Sequence, residues 1–145
     1  MKKFGYLLDT NICAFFLRGR FDVDKRIEKV GWDNCYISQI TVLELKFGVE
    51  LAKQRDGKDR TEQLNAFLSA IHILPIEEAM DIAAKEKIRL QLQGTPIFDN
   101  FDLLIGCSSL AYNMVMVTEN LKDFKNLEGI KLENWIARDK GDHIK

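Results

Sequence analysis

The sequence predicts an α/β sandwich in which a mostly parallel central sheet is flanked by helices. Three observations predict it. Short β-prone apolar runs alternate with longer stretches of helical periodicity, 145 residues fall within the range of one compact domain, and no internal repeat or low-complexity segment breaks the pattern. A domain of this size buries roughly 68 to 70% of its extended-chain surface and needs no disulfide or metal to stay folded. Cys13, Cys35 and Cys107 are odd in number, widely spaced and in no C-x-x-C pair, which argues against a disulfide framework or a structural zinc site; they are expected to be reduced core residues. No apolar run approaches 18 residues, and Met1-Lys2-Lys3 leads only into a short apolar stretch broken by Asp9. Neither a membrane span nor a signal peptide is expected, and the chain is expected to be soluble and cytoplasmic.

Taken in order, Tyr6-Leu7-Leu8 is an apolar run that stops at Asp9-Thr10-Asn11, and Ile12 to Leu17 has helical spacing with Thr10 or Asn11 as its cap. A second helix covers Asp22 to Val30. Cys35-Tyr36-Ile37 is β-prone, after which Ser38 or Thr41 caps a long helix reaching about Arg55. The charged stretch Lys53 to Arg60, with Gly57, is a solvated turn before a helix from Thr61 to Ala70. Ile71 to Leu74 forms a strand ended by Pro75. Glu77 to Gln93 begins with acids and is rich in Ala, Lys, Arg and Leu, which suits one helix stopped by Gly94. Beyond the loop Gly94-Thr95-Pro96, Asp99 or Asn100 caps a helix through Tyr112. Met114 to Val117 is a buried-type strand, and Lys131 to Glu133 a last one. One domain is expected over residues 1–137, with a polar, frayed tail over 138–145.

A net charge of −1 excludes a strongly basic protein that holds nucleic acid by bulk electrostatics, while leaving local binding open. The charge is uneven. Residues 1–20 carry Lys2, Lys3, Arg18 and Arg20 against Asp9, whereas residues 99–133 carry six acids against three lysines, an acidic surface suited to cations.

Asp9 follows a buried parallel strand, and open α/β sheets bind ligands at the carboxyl ends of their strands. The alternative is that it merely caps the next helix. On a helix, Lys46, Glu50 and Lys53 mark a polar face, and Glu44 falls nearly opposite them beside Gly48, Leu51 and Ala52. An inward carboxylate requires a cation or donors, so either a functional site or a salt bridge to an arginine is implied. Asp99 and Asp102 are three apart at a helix start, a spacing equally suited to a cap with a following acid. The core-like Leu103-Leu104-Ile105-Gly106-Cys107 then buries that helix. Thr118 and Asn120 follow another strand, with Asp123 one turn further on. Carboxylate, hydroxyl and amide oxygens without His or Cys are the ligands of hard cations, Mg²⁺ or Mn²⁺, and point to phosphoryl chemistry. His72 and His143 fit a core or solvated role, and Phe15, Phe16, Phe47 and Phe67 fit core or subunit contacts better than base stacking.

Leu7-Leu8-Asp9-Thr10-Asn11, Ile40-Thr41-Val42-Leu43-Glu44-Leu45-Lys46-Phe47-Gly48, Gly94-Thr95-Pro96-Ile97, Asp102-Leu103-Leu104-Ile105-Gly106, Val117-Thr118-Glu119-Asn120 with Asp123-Phe124, and Glu133-Asn134-Trp135 stand in order along the chain. Together they resemble a PIN-domain ribonuclease of the VapC toxin type, over about residues 4 to 136. The resemblance implies a PIN-like three-layer sandwich and an Mg²⁺-dependent endoribonuclease, with Mn²⁺ as substitute. It also implies a homodimer held inactive by a cognate VapB-like antitoxin. Asp9, Glu44 and Asp102 match the family's three main acids and metal ligands, and Thr118 matches the hydroxyl that supports the first. Asn120 stands where many members have a further acid, so Asp123 is a candidate to supply the charge. Phe98-Asp99-Asn100-Phe101 is one residue longer than the usual spacer, leaving Asp99 either an accessory acid or a cap. Metal-activated water would attack an RNA phosphodiester in line, and Arg18, Arg20 and Lys46 are candidate phosphate contacts. A phosphatase of the HAD type would need an acid at Asn11. The remaining alternative, suggested by Asn120, is a catalytically silent PIN-like module that binds RNA or protein.

Overall fold

The computed structural model describes residues 5–140. Five short strands form one sheet: β1 (Tyr6–Leu8), β2 (Cys35–Ser38), β3 (His72–Leu74), β4 (Val115–Val117) and β5 (Lys131–Glu133). Their order across the sheet is β3-β2-β1-β4-β5, and all four pairings are parallel. The sheet is therefore wholly parallel, where the sequence indicated mostly parallel. Among the described residues seven helices surround it: α1 (Thr10–Leu17), α2 (Val23–Val30), α3 (Gln39–Asp56), α4 (Thr61–Ala70), α5 (Met80–Gln93), α6 (Asn100–Ala111) and α7 (Leu121–Phe124). The four-residue α7 was not anticipated, being too short to show a period. Likewise Glu77–Ala79 forms a separate 3₁₀ turn before α5, not the first turn of one helix. Among the described residues no helix is long and apolar enough to cross a membrane.

Period-2 alternation along β1 divides the core. Leu8 joins Ile12, Phe15, Val23, Ile27, Phe67 and Val117 on one face of the sheet, where α1, α2 and α4 pack. Leu7 joins Ala83, Leu90, Leu103, Ile105 and Met116 on the other, beneath α5 and α6. Helix α3 bridges the two, with Ile40 in the second cluster and Leu45 in the first. Both faces of a parallel sheet are thus covered, giving three layers.

Local chemistry sets the boundaries. Ser38 caps α3, its hydroxyl accepting from the Ile40 N–H at 3.0 Å. Gly94 ends α5 in the left-handed region at φ 85°, which a residue with a Cβ adopts only under strain. At Gly106 the reason is space. A Cβ there would lie 2.6 Å from Leu127 Cδ1 and 3.1 Å from Phe124 Cδ1, so its absence lets α6 lie against α7 and the loop that follows.

One expectation about α3 is corrected: Leu51, placed on the inward arc beside Glu44, is 59% exposed, while Phe47, at 55% exposed, keeps only the subunit-contact half of its expected role. The helix carries apolar residues around more than one face, and its period does not say which face the sheet takes. His72 is exposed on edge strand β3 and stacks on Tyr36 at 4.8 Å, a solvated role as expected; His143 lies outside the described residues. Arg138, assigned to a frayed tail, instead pairs with Glu119 and lies over Phe15 and Phe21.

Candidate metal centre

Strand order dictates where the crevice falls. The chain steps from β1 outward to β2 and β3, then returns to the other side of β1 for β4, so the switch point lies between the carboxyl ends of β1 and β4. Asp9 follows β1 and Thr118 follows β4, and the Thr118 hydroxyl donates to Asp9 Oδ2 at 2.8 Å. The Asp9 N–H is held by the Val117 carbonyl, also at 2.8 Å. Asp9 is the N-cap of α1 as well, accepting from the Thr10 N–H through Oδ1 at 2.8 Å. Thr10 and Asn11 therefore do not cap this helix, as the sequence had suggested. With β1 ending at Leu8, the first residue to leave the strand already has extended dihedrals suited to a cap. Asp9 thus both caps α1 and faces the crevice.

Glu44 is held across the crevice by one hydroxyl, that of Thr10, which a second, that of Thr41, backs. Thr10 Oγ1 lies 2.6 Å from Glu44 Oε1 and 3.1 Å from Thr41 Oγ1, and Thr41 is fully buried one turn before Glu44 on α3. A hydroxyl has one proton to donate. Thr10 gives its proton to the carboxylate, so the Thr10–Thr41 contact takes the proton of Thr41. The order is Thr41 to Thr10 to Glu44. Among the described residues no arginine pairs with Glu44, so the salt-bridge alternative does not hold there. This relay was missed in the sequence because it joins residues 31 and 34 positions apart.

Asp102, in the first turn of α6, is half-buried and faces the same acids. Burial first, then the neighbouring charges of Asp99, Asp9, Glu44 and Asp123, push its carboxyl up to about 7. Burial also raises the Asp9 carboxyl, opposed by its bonds from Thr118 and Thr10 and reinforced by Glu44 and Asp123. Asp99 is exposed and caps α6, its Oδ1 accepting from the Phe101 and Asp102 N–H groups at 2.8 and 3.4 Å. Asn120 is exposed at the head of α7. Its N–H donates to Thr118 Oγ1 at 3.0 Å, and its side chain makes no cap bond. Asp123 is exposed on α7.

None of Asp9, Glu44, Asp99, Asp102 and Asp123 is ion-paired among the described residues. Nor, among those residues, are any three acidic, histidine or cysteine side chains gathered tightly enough to hold an ion between them directly. Burial first, and then the like charge of the neighbouring acids, raises the carboxyls of Asp9 and Asp102. Uncompensated carboxylates with hydroxyl support and no nitrogen or sulfur donor suit a hard divalent cation that retains part of its water shell.

The basic candidates separate. Arg18 lines a groove that also contains Thr10 and Glu44. The Arg20 guanidinium instead lies over the rings of Phe15 and Phe21. Lys46 is exposed two positions beyond Glu44, roughly 200° around the helix and away from the crevice.

A crevice of acids at the switch point of a five-stranded parallel sheet defines a class. The PIN domain family model matches residues 6–130, and the chain belongs to that family. Within it the similarity is to VapC proteins. The chain is 33% identical over 133 residues to "Ribonuclease VapC2" of Rickettsia felis, covering 90% of this chain and 97% of that protein. It is 28% identical to "tRNA(fMet)-specific endonuclease VapC" of Salmonella typhimurium, with the same coverage. Among solved structures, VapBC2 from Rickettsia felis bound to a promoter DNA fragment matches with a TM-score of 0.80 and 30% identity over 92% of this chain and 99% of that one. The DNA-bound VapBC of Salmonella typhimurium matches with a TM-score of 0.79 and 26% identity over the same shares of the two chains.

Proposed function

We propose that this chain is the toxin of a toxin–antitoxin pair, a divalent-metal-dependent endoribonuclease held inactive by a VapB-like antitoxin and acting in the cytoplasm. The observation that carries the reading is the convergence of Asp9, Glu44 and Asp102 on one crevice, with none of them ion-paired among the described residues. The VapC names of its relatives and the VapBC complexes among its structural neighbours support the substrate class and the partner.

Asp9, Glu44 and Asp102 would hold Mg²⁺ or Mn²⁺. When bound, the ion supplies an acidified water as nucleophile and Lewis-acid stabilisation of the phosphodiester oxygens. The chain's own residues supply orientation. Thr118 fixes one oxygen of Asp9, and the backbone of α1 fixes the other. Thr10, itself held by Thr41, fixes Oε1 of Glu44. Asp102 presents a half-buried carboxyl beside the like charges of Asp99, Asp9 and Glu44, which a cation would balance. Asn120 offers an amide oxygen at the rim, and Asp99 and Asp123 add charge from exposed positions.

A homodimer is part of the proposal, and its surface is apolar. Leu43, Phe47 and Leu51 recur every four residues along the exposed side of α3, and Ile88 and Leu92 do so on α5. Glu substitutions at Phe47 and Leu51 should yield monomer in sedimentation. Cleavage is tested directly: the purified protein should cut RNA in Mg²⁺, lose that activity in EDTA, and lose it in Asp9→Asn. Equal cleavage by the variant identifies a contaminant and overturns the reading.

A further inference from the structure

The hydroxyl that places Asp9 Oδ2 stands at the start of a turn. Thr118 leaves β4 with its N–H donating to the Glu133 carbonyl at 2.9 Å. Its Oγ1 accepts from the Asn120 N–H at 3.0 Å, which leaves the one hydroxyl proton for Asp9. The aim of that proton therefore depends on the residue between them, Glu119. Helix α7 gives the turn little purchase, having four residues and no cap bond from the Asn120 side chain. Glu119 is gripped from the far end of the chain instead. Its Oε2 accepts from Arg138 Nε, and its Oε1 accepts from Arg138 Nη2 at 3.0 Å. Among the described residues the Glu119 carboxylate has no other partner. Arg138 is itself seated: its guanidinium carbon lies 5.7 Å from the Phe15 ring centroid and 4.9 Å from that of Phe21, two buried rings that meet edge to face. Phe15 belongs to α1, the helix that Asp9 caps. One guanidinium thus ties the turn carrying Thr118 to the helix whose first residue follows Asp9.

We propose that Arg138 is a positioning residue of the candidate metal centre: by clasping Glu119 it fixes the turn whose Thr118 hydroxyl orients Asp9. The inference rests on the reading of the crevice as a divalent-cation site and deepens it, adding a residue that lies outside residues 6–130, the stretch shared with the PIN family. Arginine suits the task, since its planar fork meets both carboxylate oxygens of Glu119 at once and stays charged at any working pH. The two ways in which this residue could influence a cation have opposite signs. As a positive charge alone it would repel Mn²⁺, and its removal would tighten binding. As a clasp it orders an oxygen of Asp9, and its removal loosens binding.

The test reads two quantities in the full-length protein: Mn²⁺ affinity by paramagnetic resonance titration and, without metal, hydrogen exchange of the Asn120 amide by NMR. Arg138→Gln should weaken Mn²⁺ binding about threefold, less than the roughly tenfold or more that follows loss of a group touching a ligand directly. The Asn120 amide should exchange about threefold faster, while the Asp9 amide, bonded to the Val117 carbonyl, keeps its wild-type rate. The melting temperature should barely move, because Arg138 is 59% exposed and such a pair contributes little to global stability. In Thr118→Val, where the route from the turn to Asp9 is already cut, Arg138→Gln should remove no further Mn²⁺ affinity. If Thr118→Val does not fold, Glu119→Gln serves as the same background, and again the added Arg138→Gln should have no effect. Tighter or unchanged Mn²⁺ binding in Arg138→Gln overturns the clasp, as does weaker binding without faster Asn120 exchange, or an undiminished loss in either background. Mn²⁺ binding and RNA cleavage by the wild-type protein keep the nuclease reading in each of those cases. Should the wild-type protein bind no Mn²⁺, the nuclease reading falls, and the hold of Arg138 on the turn is decided by Asn120 exchange alone: faster exchange keeps it and an unchanged rate removes it.

Discussion

Replacing Asp102 with Asn should stabilise the metal-free fold, because it removes a half-buried charge from among like charges. The carboxyl rises from its ordinary 3.8 to about 7 through burial and the charges of Asp99, Asp9, Glu44 and Asp123. At ~1.4 kcal/mol per pH unit, that interval caps the cost of ionising Asp102 in the fold near ~4 kcal/mol. Asp102 is only half-buried, and water on its open side screens the charge, which leaves a working figure of ~2 kcal/mol. The sign follows from the raised value. Below pH 3.8 both states are protonated and nothing is lost; stability falls as pH rises from there to about 7, and the deficit is constant above. Asn carries no charge at any of these pH values. In EDTA at pH 8, thermal melts should therefore show Asp102→Asn unfolding roughly 4 to 8 °C above wild type, with the gap closing near pH 4. Mn²⁺ at pH 8 should raise the wild-type midpoint and raise that of the variant much less, since binding to the folded state stabilises it. A lower midpoint for the variant at pH 8, or a gain of equal size at pH 4, would refute the electrostatic account of the crevice.

The hydroxyl relay predicts that Thr10→Val, which keeps the shape and removes the donor, weakens Mn²⁺ binding about tenfold by paramagnetic resonance titration, whereas Thr10→Ser retains it. A smaller loss, with the melting temperature alone affected, would leave Thr10 a packing residue. Gly106→Ala should cost ~1 to 3 kcal/mol in urea unfolding, because the added methyl meets Leu127 and Phe124 in a fully packed layer, and its cost should exceed any gain in helix propensity. Glu86 accepts from Arg89 Nε at 2.8 Å, Arg89 Nη2 at 2.7 Å and the Glu128 N–H at 2.9 Å, and Arg89 also donates to the Asn126 carbonyl at 2.7 Å. Glu86→Ala should loosen the loop after α7 by ~1 to 3 kcal/mol. The hydrogen bond from Arg89 lowers the Glu86 carboxyl below its usual 4.5, so the stability it contributes is present above that value and is lost as pH falls beneath it.

The elements that sequence patterning located are those whose cause is local. Ser38 announces α3 because its hydroxyl answers a nearby N–H, and Gly94 ends α5 because its own φ permits it. Glu44 was singled out for a related reason, since a carboxylate among apolar neighbours is costly at its own position, whereas Asp9 was read from its place after a strand and Asp102 joined them only through the family resemblance. What the sequence did not show depends on distance. Ser38 and Thr41 were both plausible caps, yet Thr41 turns inward to order the proton of Thr10, and nothing within several residues of either threonine reports the other. Arg55 and Arg60 looked like part of a solvated turn, and only the approach of α4 to α3 makes them walls of the groove that begins at Glu44. Leu51 was misplaced for the converse reason, since helical period assigns a face without saying which surface will meet it. The same distinction separates the acids in function. Asp99 keeps its local duty as a cap, whereas Asp9 performs the cap and also reaches Thr118, 109 residues away. A carboxylate whose second oxygen is fixed from a distant strand is oriented beyond what capping α1 requires, and that excess is what makes Asp9 a candidate for the proposed site.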